Sequence, residues 1–275
     1  MRETLSSVTM YGTAAARVLA RGRKPRLGSA DERLVLVVGS PRSGTTFLAG
    51  ALGAHPGVVD LGEVKPIKAS IAELASLPEG EAGARFRRTL ERVRRLGLSA
   101  HLRGVEQTPE TVFVLRAVLA AYPQARAIHL IRDGRDVACS LLEKRWLGDT
   151  QGDDDVGQAL GGHSRFWVEA ERRREFEGAT EALRAAWAWR RHVTAGLGVT
   201  DERVLELRYE TLATNSAEAS RVLAEHLSLD AELLAPPLAE VHTQSVGRWR
   251  RDLDAGQVSD VEREAGELLR RLGYE

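Results

Sequence analysis

Residues 34–48 read LVLVVGSPRSGTTFL. The first five, Leu34, Val35, Leu36, Val37 and Val38, are aliphatic without a polar interruption, which predicts a strand buried on both faces of a parallel sheet. A helix is expected from about Thr45. Between strand and helix, Gly39, Ser40, Ser43 and Gly44 are small enough to let backbone N–H groups converge on one anion. The helix N-terminus adds its partial positive charge to that point. The segment therefore reads as a strand, a phosphate-cradling loop and a helix.

The loop is similar to the nucleotide signature G-x-x-x-x-G-K-[ST], with Gly39 and Gly44 at the right spacing and Thr46 at the Ser/Thr position. The lysine that would reach a γ-phosphate is replaced by Thr45, and the cation is Arg42, inside the loop. A P-loop small-molecule kinase needs that lysine on the β- and γ-phosphates and a metal on the following hydroxyl. The substitution counts against γ-phosphoryl transfer, and it suits a 5′-phosphate that carries one further group.

The chain has 275 residues, enough for a full α/β core that removes roughly three quarters of the unfolded surface from water. Lys and Arg total 39, as do Asp and Glu. The balanced charge calls for neither nucleic acid nor an anionic membrane as partner. Lysine occurs only at Lys24, Lys65, Lys68 and Lys144. Cys139 is the single cysteine, so no disulfide can form within the chain and a cytoplasmic location is expected. No apolar run approaches the roughly 18 residues of a membrane span.

Working outward from the loop, residues 1–33 read as an N-terminal helical extension and 34–275 as one domain. Helical patterns cover 45–54 and 67–98, with an interruption near 78–83. A short extended piece at 104–107 leads to a helix opened by Thr108 as N-cap and Pro109 at its first position. A second buried strand is expected at 125–131, a helix from about Asp136, and a helix over 180–196. A third strand covers 204–207, and helices cover 216–227 and 260–272. Residues 147–178 carry Gly, Asp and mixed charge without a steady period and read as a lid or insertion, which includes His163. Alternating strands and helices predict a P-loop-type parallel sheet flanked by helices on both faces.

Ligands of such sheets bind beyond the carboxyl ends of the strands. Arg132 lies at one such end, and Asp136, Ser140 and Lys144 recur on one face of the helix that follows. Arg132, Ser140 and Lys144 can converge on a second anion, with Asp136 as a cap or ion-pair partner. A metal-binding carboxylate is not evident where a phosphotransferase would carry it. Two cationic sites without a clear metal ligand suit a nucleotide phosphorylated at both ends of its ribose, namely 3′-phosphoadenosine 5′-phosphosulfate (PAPS).

The chain here resembles the PAPS-dependent sulfotransferases, in the branch that contains tyrosylprotein sulfotransferases and their bacterial relatives. PRSGTTFL followed by AHPGVVDLGE is similar to that branch's 5′-phosphosulfate loop and downstream glutamate, and VEQTP to its E-K-T-P or K-D-P segment. IRDGRDVACS resembles the 3′-phosphate motif, RYETL the Tyr-Glu motif, and SVGRWRRDL the C-terminal nucleotide motif. The resemblance implies that Arg42, Ser43, Gly44, Thr45 and Thr46 hold the 5′-phosphosulfate. It implies likewise that Arg132, Ser140 and Lys144 hold the 3′-phosphate side, that Tyr209 and Arg248 make further nucleotide contacts, and that Glu63 is the general base. Lys144 stands where the tyrosylprotein enzymes have arginine, which keeps the charge and loses the bidentate fork. Gln107 stands where they have a catalytic lysine.

The function expected is transfer of a sulfonate from PAPS to a hydroxyl, phenol or amine of a small-molecule or peptide acceptor, releasing PAP without a metal. A kinase and a non-catalytic nucleotide-binding protein are the alternatives, the second favoured by Gln107. Glu63 has a simpler reading as a carboxylate at a helix entry, partnered by Lys65. Trp187 and Trp189 are expected in the core, and His55 at the end of the first helix.

Overall fold

The computed structural model describes residues 34–96, 103–144, 147 and 166–274. The expected N-terminal extension and most of the expected lid, His163 included, lie outside them. Five strands, all parallel, form one sheet in the order β2-β3-β1-β4-β5. They are β1 Leu34–Gly39, β2 Val58–Gly62, β3 Arg103–Glu106, β4 Arg126–Ile131 and β5 Val204–Arg208. β1 is central because it is apolar on both faces. Leu34, Leu36 and Val38 enter one core cluster, and Val35 and Val37 the opposite one. Each such fully buried aliphatic side chain contributes about 1.5–3 kcal/mol relative to exposure, which fixes the register of the strand.

Against the Leu36 face lie α2 Lys65–Ala75, α3 Glu79–Leu96, the 3₁₀ turn Pro109–Val114 and α4 Leu115–Ala121. The Val37 face is covered by α1 Thr45–Ala54 together with residues of the later helices described below. α5 Gly134–Lys144, the short α6 Arg173–Glu177 and α7 Glu181–Leu197 form a third cluster around Trp187 and Trp189, both fully buried. After β5 come α8 Tyr209–Thr214, α9 Ser216–Leu227, α10 Ala231–Ala239 and α11 Trp249–Asp252. α12 Ala255–Arg271 opens on a capping box between Asp254 and Gln257 and packs on α7.

Helices Tyr209–Thr214, Ala231–Ala239 and Trp249–Asp252 are not in the expected list, and two further departures bear on the site. Residues 58–62 have no place in the expected list, yet they form the edge strand β2, with Val58, Val59 and Leu61 buried. Its end is bulged: the pairing slips between Asp60 and Gly62, and the Asp60 carboxylate accepts the Gly62 N–H at 2.7 Å. Gly62 takes φ 69°, a conformation that favours glycine. Thr108 does stand at a helix start, but its hydroxyl donates to Glu106 instead of capping, and the helix begins as 3₁₀. The physical reason is the buried Glu106 carboxylate, a stronger acceptor demand than a loose helix end.

Candidate functional site

The loop 40–44 leaves β1 through Gly39, at φ 153°, where a Cβ would meet the Leu130 carbonyl oxygen at 2.4 Å. Its other end is Gly44, φ 97°, where a Cβ would lie 2.6 Å from the Tyr209 ring. Close backbone approach to β4 and to Tyr209 therefore dictates both glycines. Arg42 itself has φ 70°, an arrangement that costs energy in a non-glycine residue and that tends to occur where a side chain must be aimed. No side chain caps α1, and its first amides have no intrahelical acceptor. Ser43 Oγ is buried with no hydrogen-bond partner among the described residues.

Arg132 emerges from the end of β4 and is 6% exposed. It donates to the Arg42 carbonyl at 3.3 Å and to the Ser245 carbonyl, and its guanidinium lies over the Tyr209 ring at 4.5 Å. Its Nε is buried and finds no partner among the described residues. The Arg132 carbonyl accepts from Trp189 Nε1 at 2.9 Å, which fixes the strand end from behind. Ser140, two turns into α5, accepts from Arg42 Nε at 3.0 Å. Burial first, then the neighbouring Arg132, holds the Arg42 guanidinium below its usual value, while Glu143 and Glu63 oppose this.

The C-terminal segment closes the same site. Asp136 accepts the Gly247 N–H at 2.7 Å and the Trp249 N–H at 3.0 Å. Burial raises its pKa, and those two amides act against the rise. The Tyr209 hydroxyl pairs with Ser245 Oγ at 3.0 Å and donates to the His242 carbonyl at 3.1 Å. A cavity of about 790 Å³ opens there, lined by residues 241–245, Arg248 and Arg251. Arg248 sits in its wall, tied to Glu143 and, at 2.7 Å, to Asp252. Lys144 ends α5 and is exposed.

At the other end of the loop, Thr46 Oγ1 donates to Gln107 Oε1 at 3.4 Å, and the Gln107 N–H reaches the Gly62 carbonyl at 3.3 Å. The β2 bulge thus sets Glu63 next to the segment that carries Gln107. Glu63 is 36% exposed at its side chain and pairs with Lys68 of α2 at 2.8 Å. Lys68, not Lys65, is its partner. Beneath them Glu106 is fully buried. It accepts from the Thr108 N–H at 3.0 Å, the Val64 N–H at 3.5 Å and the Thr111 hydroxyl at 3.3 Å. Burial still pushes its pKa up to about 7.

The structure brings Arg42, Arg132 and Ser140 into one hydrogen-bonded group, with Ser43, Gly44 and Thr45 in the adjoining loop. Thr46, Gln107 and Glu63 lie at the far side. Lys144 joins neither group through a hydrogen bond or ion pair among the described residues. Asp136, Glu106 and Lys68 are the organising residues that sequence reasoning placed loosely or missed. For Glu106 a signal was available in the hydroxyls two and five residues on, at Thr108 and Thr111. Cys139 is buried, which raises its thiol to about 12. Among the described residues no group of three His, Cys, Asp or Glu side chains is placed to hold a metal, and no helix is long and apolar enough to cross a membrane.

A model of the sulfotransferase family matches residues 82–232, more than half of the chain. An uncharacterized protein of Aquifex aeolicus (strain VF5) is 32% identical over 137 residues, which take in 43% of this chain and 18% of that one. The chain thus spans under a fifth of that curated relative. Solved sulfotransferase structures share the fold. The sulfotransferase domain of the Synechococcus PCC 7002 olefin synthase superposes with a TM-score of 0.53 at 18% identity, over 90% of this chain and 98% of that one. The sulfotransferase domain of the curacin biosynthetic pathway gives 0.54 at 15%, over 90% and 99%. A Mycobacterium avium sulfotransferase gives 0.53 at 15%, over 96% and 81%.

Proposed function

The chain belongs to the sulfotransferase family, and we propose that it transfers a sulfonate group from PAPS to a hydroxyl, phenol or amine of a small-molecule or peptide acceptor. The observation that carries this reading is the convergence of Arg42 from the loop, Arg132 from β4 and Ser140 from α5. Two buried polar atoms in that group, Ser43 Oγ and Arg132 Nε, lack partners among the described residues. Buried polar groups are rarely left so, and a ligand bearing two anionic groups satisfies both. In this reading the loop 40–44, Thr45 and Thr46 hold the 5′-phosphosulfate through backbone N–H groups and hydroxyls, without a metal. Arg132, Ser140 and Lys144 take the 3′-phosphate. Tyr209 acts mainly from behind, packing under Gly44 and fixing Ser245, and Arg248 walls the nucleotide cavity.

The chemistry follows from where charge moves. The acceptor O–H or N–H gives its proton to Glu63 as the heteroatom attacks sulfur, the bond from sulfur to the bridging oxygen breaks, and that electron pair ends on the 5′-phosphate of PAP. Arg42 faces the oxygens that gain charge. Gln107, held against Thr46, supplies a neutral donor at the leaving oxygen. The transfer domain covers 34–275 with 1–33 as an extension, and a single buried cysteine supports a cytoplasmic location. Incubation with PAPS and a panel of phenols, alcohols, amines and sugars, read as PAP release, tests the proposal. Release that depends on one acceptor class is expected. PAP binding without turnover of any acceptor would leave a non-catalytic nucleotide-binding protein in its place.

A further inference from the structure

Lys68 is one of four lysines in a chain whose cations are otherwise arginine, and it stands between two carboxylates. Its Nζ is 2.8 Å from Glu63 Oε2 and 4.0 Å from Glu110 Oε1. Lys68 and Glu110 are mostly shielded, at 20% and 14% side-chain exposure, whereas Glu63 reaches into solvent. Glu110 Oε2 is buried and has no hydrogen-bond partner among the described residues. The two supports are anchored differently. Lys68 rides on α2, directly after the bulge that delivers Glu63, and Glu110 rides on the 3₁₀ turn that follows Gln107.

We propose that Lys68 is the positioning residue of the transfer step, an inference that rests on Glu63 being the base. By holding Oε2, the ammonium stops a solvent-facing carboxylate from sampling other rotamers and leaves Oε1 for the acceptor proton. A carboxylate fixed in one geometry is worth more to proton transfer than a mobile one. When Glu63 takes the acceptor's proton, its attraction for Lys68 collapses, and Glu110 becomes the only full negative charge of the pair beside the ammonium. Lys68 keeps all its protons throughout. The proton on Glu63 leaves to water through the exposed side, and Lys68 returns to Glu63. Glu110 thereby keeps a carboxylate beside the partly shielded ammonium in the half-cycle when the base is neutral.

The test compares Lys68→Met, Lys68→Arg, Glu110→Gln and the Lys68→Met/Glu110→Gln pair by single-turnover rate with PAPS and acceptor, and by PAP calorimetry. Lys68→Met is expected to lower the rate about 10- to 100-fold with PAP affinity within about twofold, and Lys68→Arg to recover most of the loss. Glu110→Gln alone costs less, and the double variant is no slower than Lys68→Met, since both act through one group. A Lys68→Met enzyme at wild-type rate, no recovery by arginine, or additive losses would overturn the proposal. If the wild type binds PAP yet turns over no acceptor, the transfer reading falls and the pairing is decided separately. With four lysines to resolve, the ¹⁵N signal of Lys68 Nζ should move in both Glu63→Gln and Glu110→Gln. A signal indifferent to Glu110→Gln would refute the bridge.

Discussion

The two ends of the candidate site are built on different principles. At the proposed nucleotide end Arg132 and Asp136 are buried and cross-linked: Arg132 is held by the Arg42 and Ser245 carbonyls and the Tyr209 ring, and Asp136 clamps the Gly247 and Trp249 amides. At the proposed transfer end Glu63 follows the bulged edge strand with its side chain 36% exposed, and pairs with Lys68. A ligand common to all members of a reaction class can be recognised by a preformed frame, whose desolvation cost is met on folding. Proton transfer to a variable acceptor needs a base that water and substrates can reach. Rigidity therefore belongs to one end and access to the other.

Substitutions at each end should separate affinity from rate. Glu63→Gln keeps shape and removes the base, so turnover should fall about 10²- to 10⁴-fold with PAP affinity nearly unchanged. A near-normal rate would remove Glu63 from the mechanism. Arg132→Ala strips a buried cation from the other end. PAP affinity should then fall by about 30-fold or more, the effect of truncating one side of a buried charged contact, in calorimetric titrations where Glu63→Gln shows no comparable loss. Loss of affinity in both, or in neither, would erase the division.

Gln107 sits on the border. It is 4% exposed and in contact with Thr46, so a lysine there must be desolvated close to the loop that carries Arg42. Gln107→Lys should slow single turnover by up to about tenfold, because the charge at the leaving oxygen is already supplied from the loop. A faster variant would mean that the site lacks a cation.

A smaller effect concerns pH and the core beneath the two ends. Burial pushes the imidazoles of His129 and His192 down to about 4 and the Glu106 carboxyl up to about 7. Between pH 7 and 5 the unfolded chain binds protons at both histidines that the folded chain does not, so acidification destabilises. Glu106 has the opposite sign: its folded form takes up a proton in that window before the unfolded form does, so acidification stabilises. Each contributes on the order of 2 kcal/mol across the window, and Glu106 offsets one histidine. Glu106→Gln should therefore lose urea stability between pH 7 and 5 about twice as steeply as the wild type. Parallel slopes would contradict the buried, protonatable state of Glu106.

How much of this was legible in the chain depended on distance along it. The strand and loop at 34–48 announce themselves locally, through five aliphatic residues and a spaced glycine pair, although what forbids a Cβ at Gly39 and Gly44 is the distant Leu130 carbonyl and Tyr209 ring. A strand end and helical spacing grouped Arg132, Ser140 and Lys144; the structure links Arg132 and Ser140 through Arg42 and leaves Lys144 exposed at the end of α5. Edge strand β2 was hidden because five residues with an aspartate inside give a weak alternating signal, and its bulge is set by pairing with β3. The Lys68 contact to Glu63 was invisible because five residues is no helical repeat, and the bulge alone brings the two together. Asp136 was read as a local cap or ion-pair partner, but its acceptors go to amides 111 and 113 residues away, and backbone groups leave no mark in composition. The resemblance named Tyr209 and Arg248 for the nucleotide; the structure adds that Tyr209 is occupied with Ser245 and His242, and Arg248 with Glu143 and Asp252.

The most direct test of the central claim, a frame built for a nucleotide with anions at both ends, is calorimetric titration with PAP, AMP and ATP in the absence of magnesium. Charge-assisted hydrogen bonds from Arg132 and its neighbours to a 3′-phosphate predict PAP affinity at least tenfold above AMP or ATP, with that advantage reduced in Arg132→Ala. Equal affinity for PAP and AMP, or ATP binding that appears only with magnesium, would contradict the account.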